Sequence, residues 1–137
     1  MALHSYHSAE KEENCMDDLT VEQVIGFHRQ VIGTDGGDNR LLSEAGLHQM
    51  VFSANRIDDV HHRAALALFT LVAYPAFREG NRETARCVAE MILSANGYVI
   101  EEHDDEMTAL AEGIALFTVE QADIEEWFRS HSVKNQP

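Results

Sequence analysis

An apolar stretch from Ala64 to Tyr74, followed directly by Pro75, constrains the fold of this chain more than any other feature. A helix over these residues is apolar on almost every side, so neighbouring elements must surround it. Proline cannot continue the helical hydrogen-bond ladder, and it disfavours helical geometry at the residue before it. The pattern therefore predicts a central helix that begins near Asp58 and Asp59 and stops at Tyr74.

The remaining apolar residues recur mostly at helical spacing, which predicts five further helices around the central one. A Thr-x-x-Gln pattern is typical of a capping box, and it occurs at Thr20 and again at Thr118. The first helix should end at about Ile32, where a glycine-rich loop begins. The other predicted starts are near Ser43, near Gly80 and at about Asp105, and Tyr98–Ile100 is predicted as a brief extended segment.

Length and composition fit one domain, since the chain has 137 residues of which 45% are apolar. Residues 1–18 are polar and acidic without apolar periodicity, which predicts a flexible leader. The domain is expected to cover residues 19–131, followed by a tail at 132–137. The predicted fold class is an all-α bundle of about six helices around the central apolar helix, with a short exposed loop at Gly33–Arg40.

The charge balance excludes several kinds of partner. Asp and Glu number 24 against 10 Lys and Arg, so the formal net charge is −14. Such a surface repels phosphate backbones, so nucleic acid is not expected as a partner. The longest apolar stretch is too short to span a bilayer, and no membrane partner is expected.

Three single residues also carry an interpretation. We interpret Cys15 and Cys87 as free thiols in a reducing cytoplasm. We interpret His28, on the apolar stripe of the first helix, as a packed core residue.

The turn after the central helix, within Phe77–Arg86, carries the residues with the clearest chemistry. Gly80 allows a close backbone approach, and unpaired N–H groups at the start of the next helix favour an anion. Arg82 and Arg86, four residues apart, could reach one phosphate group, and Glu79 could hold a divalent cation beside it. The alternative is an ordinary capped turn with solvated arginines.

This segment resembles the signature of the Fic/Doc family, His-x-Phe-x-(Asp or Glu)-Gly-Asn-x-Arg-x-x-Arg. The matching residues are Phe77, Glu79, Gly80, Asn81 and Arg86. The surroundings are similar to the death-on-curing (Doc) branch, and the likeness covers about residues 19 to 130. Its other parts are Thr20-Val21-Glu22 with His28, Gly36-Gly37, Leu41–Ala45, Asn96-Gly97-Tyr98 and Glu125-Glu126-Trp127.

The resemblance implies the transfer of a phosphoryl or nucleotidyl group from an ATP-like nucleotide to a protein hydroxyl. It assigns Mg²⁺ to Glu79 and the phosphates to Gly80, Asn81 and Arg86, to which the spacing argument adds Arg82. It also implies partners, namely an antitoxin peptide and a protein target such as a translation factor. The loop at Gly33–Arg40 resembles the flap that positions a target.

Two positions depart from the family signature. Pro75 stands at the position of the general-base histidine, and Glu83 stands at the position of a phosphate-binding arginine. A prolyl ring cannot take a proton, and a carboxylate repels phosphate. A one-residue shift would place Tyr74 in the base position, although a phenol is a poor base at neutral pH, with Arg82 replacing the displaced arginine. The sequence thus predicts an impaired transferase or, as an alternative, a non-catalytic anion-binding or protein-interaction module of a toxin–antitoxin type system.

Overall fold

The computed structural model describes residues 16–101 and 104–135. Most of the predicted leader, and Cys15 with it, lies outside the described residues. Within them the chain forms six α-helices and one two-stranded antiparallel sheet, which confirms the predicted all-α class. The elements are α1 (Val21–Asp35), α2 (Glu44–Asn55), α3 (Val60–Ala73), α4 (Asn81–Ala95), β1 (Tyr98–Ile100), α5 (Asp104–Ala115), α6 (Gln121–His131) and β2 (Ser132–Lys134).

Helix α3 is the central helix, as predicted. It packs against α2, α4, α5 and α6, so it has neighbours on most of its circumference. One continuous apolar core buries Ala64, Ala65, Ala67, Leu68 and Leu71 of this helix. The helix ends at Ala73, and Tyr74 is its non-helical C-cap residue directly before Pro75. The end of α3 fixes where the turn that resembles the Fic/Doc signature begins.

Three predicted helix starts are confirmed by their caps. Thr20 and Gln23 form the expected capping box at α1. The Ser43 hydroxyl accepts a hydrogen bond from the Gly46 N–H at the start of α2. The Asp59 carboxylate accepts one from the His62 N–H at the start of α3. Each cap satisfies an N–H group that has no partner inside its own helix.

Two predicted boundaries are wrong. Helix α1 continues past Ile32 to Asp35, because the Ile32 carbonyl still accepts a bond from the Gly36 N–H and Gly33 tolerates helical geometry. Helix α6 begins at Gln121 rather than at Thr118. The Thr118 N–H and hydroxyl both bond to the Gly113 carbonyl, so Thr118 completes the end of α5 instead of capping α6.

Both predicted domain boundaries fall inside the folded part. Met16 is buried, and the Asp17 carbonyl accepts a hydrogen bond from Arg63. Ser132–Lys134, which we assigned to a tail, pairs with β1 in the register Tyr98 to Lys134 and Ile100 to Ser132. Residues 16–17 and 132–134 are therefore held by specific contacts with the bundle, and apolar periodicity in the sequence does not reveal such contacts.

Arg63 is the most deeply buried charged side chain among the described residues, at 3% exposure. Its guanidinium donates to three backbone carbonyls, those of Ile57 at 2.9 Å, Asp17 at 3.1 Å and Asn55 at 3.3 Å. It forms no ion pair within the described part of the chain. Arg63 therefore joins the segment before α1, the end of α2 and the start of α3.

None of the described helices combines the length and apolar character needed to cross a bilayer.

Candidate functional site

The turn between α3 and α4 reverses the chain at Gly80. This residue is the N-cap of α4 and has φ +79°, in the left-handed region that favours glycine. A Cβ atom there would lie 3.2 Å from the Ile32 side chain and 3.3 Å from that of Val31. Gly80 is thus required both by its backbone conformation and by its close approach to α1.

The side chain of Asn81 stabilises this turn from within. Its amide nitrogen donates to the Phe77 carbonyl at 2.7 Å, and its oxygen accepts from the Phe77 N–H at 3.1 Å. Both ends of the amide are therefore engaged with the backbone of a residue four positions earlier. The Asn81 side chain therefore has a structural role in this turn.

His28 supports the turn from α1. It is 2% exposed, which confirms its interpretation as a core histidine. Its ring stacks on Phe77 with a centroid distance of 3.7 Å and an interplanar angle of 9°. Its Nε2 donates a hydrogen bond to the Glu79 carbonyl at 2.7 Å. The imidazole thus holds the turn against α1 through one ring contact and one hydrogen bond.

The predicted flap loop lies directly against this turn. The Arg78 N–H donates to the Arg40 carbonyl at 2.9 Å, and Leu41 forms an isolated antiparallel bridge with Phe77. The carboxylate of Asp38 pairs with Arg40 at 2.6 Å and with Arg78 at 3.5 Å. Hydrogen bonds from Arg40 are the main reason why the pKa of Asp38 is lowered to about 2. The Asp38 carboxylate is therefore ionised at all but strongly acidic pH.

Glu79 points toward the same loop. A Cβ atom built on Gly37 would lie 2.6 Å from the Glu79 Oε1. Gly37 also has φ +120°, which side-chain-bearing residues rarely adopt. Because Gly37 has no side chain, the Glu79 carboxylate can occupy the space beside it.

An open cleft of about 400 Å³ lies over the start of α4. The N–H groups of residues 81–83 open the helix without intrahelical partners, and no side chain caps this terminus. Arg78 and Arg82 are exposed at the cleft and supply positive charge, while Glu79 and Glu83 supply negative charge. Its lining consists of Val72, Pro75, Arg78, Glu79, Gly80, Asn81, Arg82, Glu83 and Ala115.

Arg86 does not line this cleft. Its Nε donates to Glu90 at 2.9 Å, and its Nη2 pairs with Asp104 at the start of α5. Burial acts to lower the pKa of Arg86, but the hydrogen bonds to the two carboxylates outweigh it and raise that pKa. In this conformation Arg86 ties α4 to α5. Glu90, four residues further on the helix, is the one sequence signal that could have indicated this pairing.

Tyr74 and Pro75 are placed differently from each other. Tyr74 is 71% exposed and borders a separate groove of about 260 Å³ against α2, together with Leu47 and Met50. Pro75 lines both that groove and the cleft. The cleft wall next to the end of α3 is therefore formed by the Pro75 ring and not by the Tyr74 phenol.

The cleft offers one turn of backbone N–H donors and two exposed guanidinium groups, an arrangement suited to an oxyanion. No group of three or more His, Cys, Asp or Glu side chains that could hold a metal ion occurs among residues 16–101 and 104–135. Compared with known proteins, the sequence matches no protein-family model, and no curated protein matches it significantly.

The contact between Gly37 and Glu79 gives a prediction about stability. Gly37→Ala should lower the free energy of unfolding by about 2 kcal/mol, because it forces a positive φ on alanine and displaces the Glu79 carboxylate. Gly36 is the matched control, since it also has a positive φ of 82° but has open space where a Cβ would lie. Urea unfolding of both variants measures the difference. Equal losses would show that the contact with Glu79 contributes nothing.

Proposed function

We propose that this chain is a Fic/Doc-type protein of the class that transfers a phosphoryl or nucleotidyl group from a nucleotide to a protein hydroxyl. Its cleft binds the phosphates, and its transfer activity is impaired. The observation that carries the proposal is the composition of the cleft wall. Backbone N–H groups and the exposed Arg82 side chain are present there to bind an anion, with Arg78 nearby but paired with Asp38, while the base position is occupied by Pro75.

Phosphate binding is supported by the residues that open α4. Asn81, Arg82 and Glu83 form the start of this helix and all line the cleft, and no side chain caps their N–H groups. Arg82 has only one pairing in the described chain, with Glu112 at a long 3.9 Å. A phosphate can therefore compete for it. Asn81 and Arg86, both assigned to phosphate by the resemblance, contribute structure instead.

The residues fit Mg²⁺ only together with a bound nucleotide. Glu79 is one carboxylate, and Mg²⁺ in nucleotide sites is held by one or two carboxylates with phosphate oxygens and water. When bound, Mg²⁺ would neutralise phosphate charge beside Glu79. Such a site needs no preformed cluster of protein ligands. An ATP-like nucleotide with Mg²⁺ is accordingly the ligand that we propose.

The impairment has two causes at two positions. Pro75 lines the cleft and has no group that could take a proton from an attacking hydroxyl. Glu83 lies in the first turn of α4, where its negative charge favours the empty helix start and opposes a polyphosphate. In this proposal the helix start that would bind the phosphates is present, while the groups that would act on them are replaced.

Binding of Mg²⁺–ATP, measured by calorimetry on the full chain, tests the proposal. Arg82→Gln should weaken binding about tenfold, because it removes one charge-assisted hydrogen bond to phosphate. Glu83→Gln should tighten binding several-fold by removing repulsion. Arg86→Gln should leave the affinity almost unchanged, because Arg86 is held by Glu90 and Asp104.

Arg29→Gln is the matched control, since Arg29 is exposed on α1 away from the cleft. Circular dichroism checks that each variant is folded. A larger loss with Arg86→Gln than with Arg82→Gln would contradict this arrangement of the site. No binding of ATP or inorganic phosphate by the wild-type chain would contradict the proposed function.

A second candidate function is a non-catalytic interaction module of a toxin–antitoxin type system. The exposed apolar residues Leu42, Tyr74 and Phe117 favour it, with Phe117 85% exposed at a φ of 62°. A bulky residue in the left-handed region costs about 1 kcal/mol or more, so its retention at the surface favours a contact role. In this case an antitoxin peptide, or a target such as a translation factor, binds the surface directly.

A further inference from the structure

Arg78 lines the cleft over the start of α4, but its guanidinium already has an anionic partner. Its Nε lies 3.5 Å from Oδ2 of Asp38, which belongs to the glycine-rich loop between α1 and α2. The guanidinium fork of arginine binds carboxylates and phosphates through the same N–H donors. An anion that uses Arg78 must therefore replace Asp38 as its partner.

Asp38 is held in position by Arg40. The Arg40 Nε donates to Oδ1 at 3.1 Å and to Oδ2 at 3.0 Å, and its Nη2 donates to Oδ2 at 2.6 Å. The Arg40 backbone N–H also donates to Oδ1 at 2.9 Å. These contacts orient the carboxylate, and the Asp38 side chain is only 23% exposed. Asp38 thus presents a preoriented carboxylate oxygen to Arg78.

Backbone hydrogen bonds bring the loop and the turn together. The Arg78 N–H donates to the Arg40 carbonyl at 2.9 Å, and the Leu42 N–H donates to the Ala76 carbonyl at 2.6 Å. Neither bond involves the carboxylate of Asp38. The loop is therefore expected to stay in place when that carboxylate is replaced by an amide, which makes its electrostatic role separable from the fold.

We propose that Asp38 is an internal competitor of the anion and sets the affinity of the cleft for phosphate by engaging Arg78. While Asp38 engages Arg78, the exposed side chain of Arg82 is the main cation that the cleft offers. Without the carboxylate, Arg78 becomes a second one. This inference rests on the proposed binding of phosphate in the cleft, and Asp38 is not among the residues that the resemblance assigns to the ligand.

The size of the effect follows from the exposure of the pair. The Arg78 side chain is 54% exposed, so water screens its attraction to Asp38. Exposed ion pairs change an equilibrium by about fivefold at most. Removing the carboxylate also removes a negative charge beside the anion, which acts in the same direction. We therefore expect Asp38→Asn to tighten phosphate binding about fivefold.

Calorimetric titration of the full chain, with inorganic phosphate and separately with Mg²⁺–ATP, tests the proposal. Asp38→Asn should bind both ligands about fivefold more tightly than the wild-type chain. In an Arg78→Gln background the same Asp38→Asn change should alter the affinity by less than about twofold, because no guanidinium is left to release. This double-variant comparison separates an effect through Arg78 from a general effect of charge.

Asp58→Asn is the matched control, since it removes one exposed carboxylate directly before the N-cap residue of α3. The cleft lies at the other end of this 14-residue helix, about 20 Å away, so the affinity should not change. Circular dichroism checks that each variant is folded.

An Asp38→Asn variant that binds phosphate no more tightly than the wild-type chain would overturn the inference, while binding by both would leave the proposed function standing. An equal gain with Asp58→Asn would also overturn it, as would a gain that persists without Arg78. If neither the wild-type chain nor Asp38→Asn binds either ligand, the proposed function fails and this inference fails with it.

Discussion

Combining Pro75→His with Glu83→Arg is expected to raise transfer from ATP to a protein acceptor by about 100-fold or more over the wild-type chain. A positioned general base contributes about 10²- to 10⁴-fold to such reactions. Both positions line the same cleft, so the imidazole and the guanidinium would be introduced beside the ligand that we propose. Replacing Glu83 also removes a carboxylate that repels phosphate.

The measurement uses ATP labelled at either the α- or the γ-phosphate, with a translation-factor preparation as acceptor. Label from the α-position indicates nucleotidyl transfer, and label from the γ-position alone indicates phosphoryl transfer. Pro75→Ala with Glu83→Gln is the matched control, because it changes the same positions without supplying a base or a cation. A doubly restored variant that binds ATP but transfers nothing would favour the interaction module instead.

Arg63→Met is expected to cause the largest loss of stability of any single change considered. The thioether chain keeps much of the volume, but the carbonyls of three partly buried hydrogen bonds lose a charged donor. Losing a hydrogen bond to a charged group costs about 1 kcal/mol or more each, so we expect a total loss of about 3 kcal/mol. For a domain of this size that corresponds to a fall in Tm of roughly 12 °C.

Thermal and urea unfolding followed by circular dichroism measure this effect. Arg29→Met is the control, since it makes the same replacement on the exposed face of α1 and should change stability by less than about 0.5 kcal/mol. Arg63→Lys should also be destabilising, because one ammonium cannot replace the planar fork that reaches all three carbonyls. Similar stability for Arg63→Met and Arg29→Met would contradict the structural role of Arg63.

The predictable parts of this fold depend on short-range rules. Pro75 ends α3 because its ring and missing N–H act on the residue before it and on the preceding turn. Thr20 and Gln23 cap α1 through contacts across three residues. The same pattern failed at Thr118, because the Gly113 carbonyl lies close enough to take its hydroxyl. A local motif predicts structure only where no competing partner is within reach.

In the candidate site, too, the sequence predicted the backbone features but not the partners of the side chains. The sequence identified Gly80 and the helix start, since a positive φ and unpaired N–H groups are properties of the backbone at that turn. It did not identify the partners of the side chains. Asn81 bonds to Phe77, and Arg86 pairs with Asp104, which is 18 residues away in the chain. The resemblance assigned both residues to phosphate, whereas their contacts here are internal.

The sequence by itself determined an all-α bundle with a central apolar helix, and the glycine turn that follows this helix after Pro75. These depend on backbone sterics and on which residue types are present. Only the tertiary structure decided which cations remain available in the cleft, what Arg63 binds and that Asp38 pairs with Arg78. The reason is that a polar side chain bonds to whichever group packing brings within about 3 Å of it, and packing joins residues that are distant in the chain.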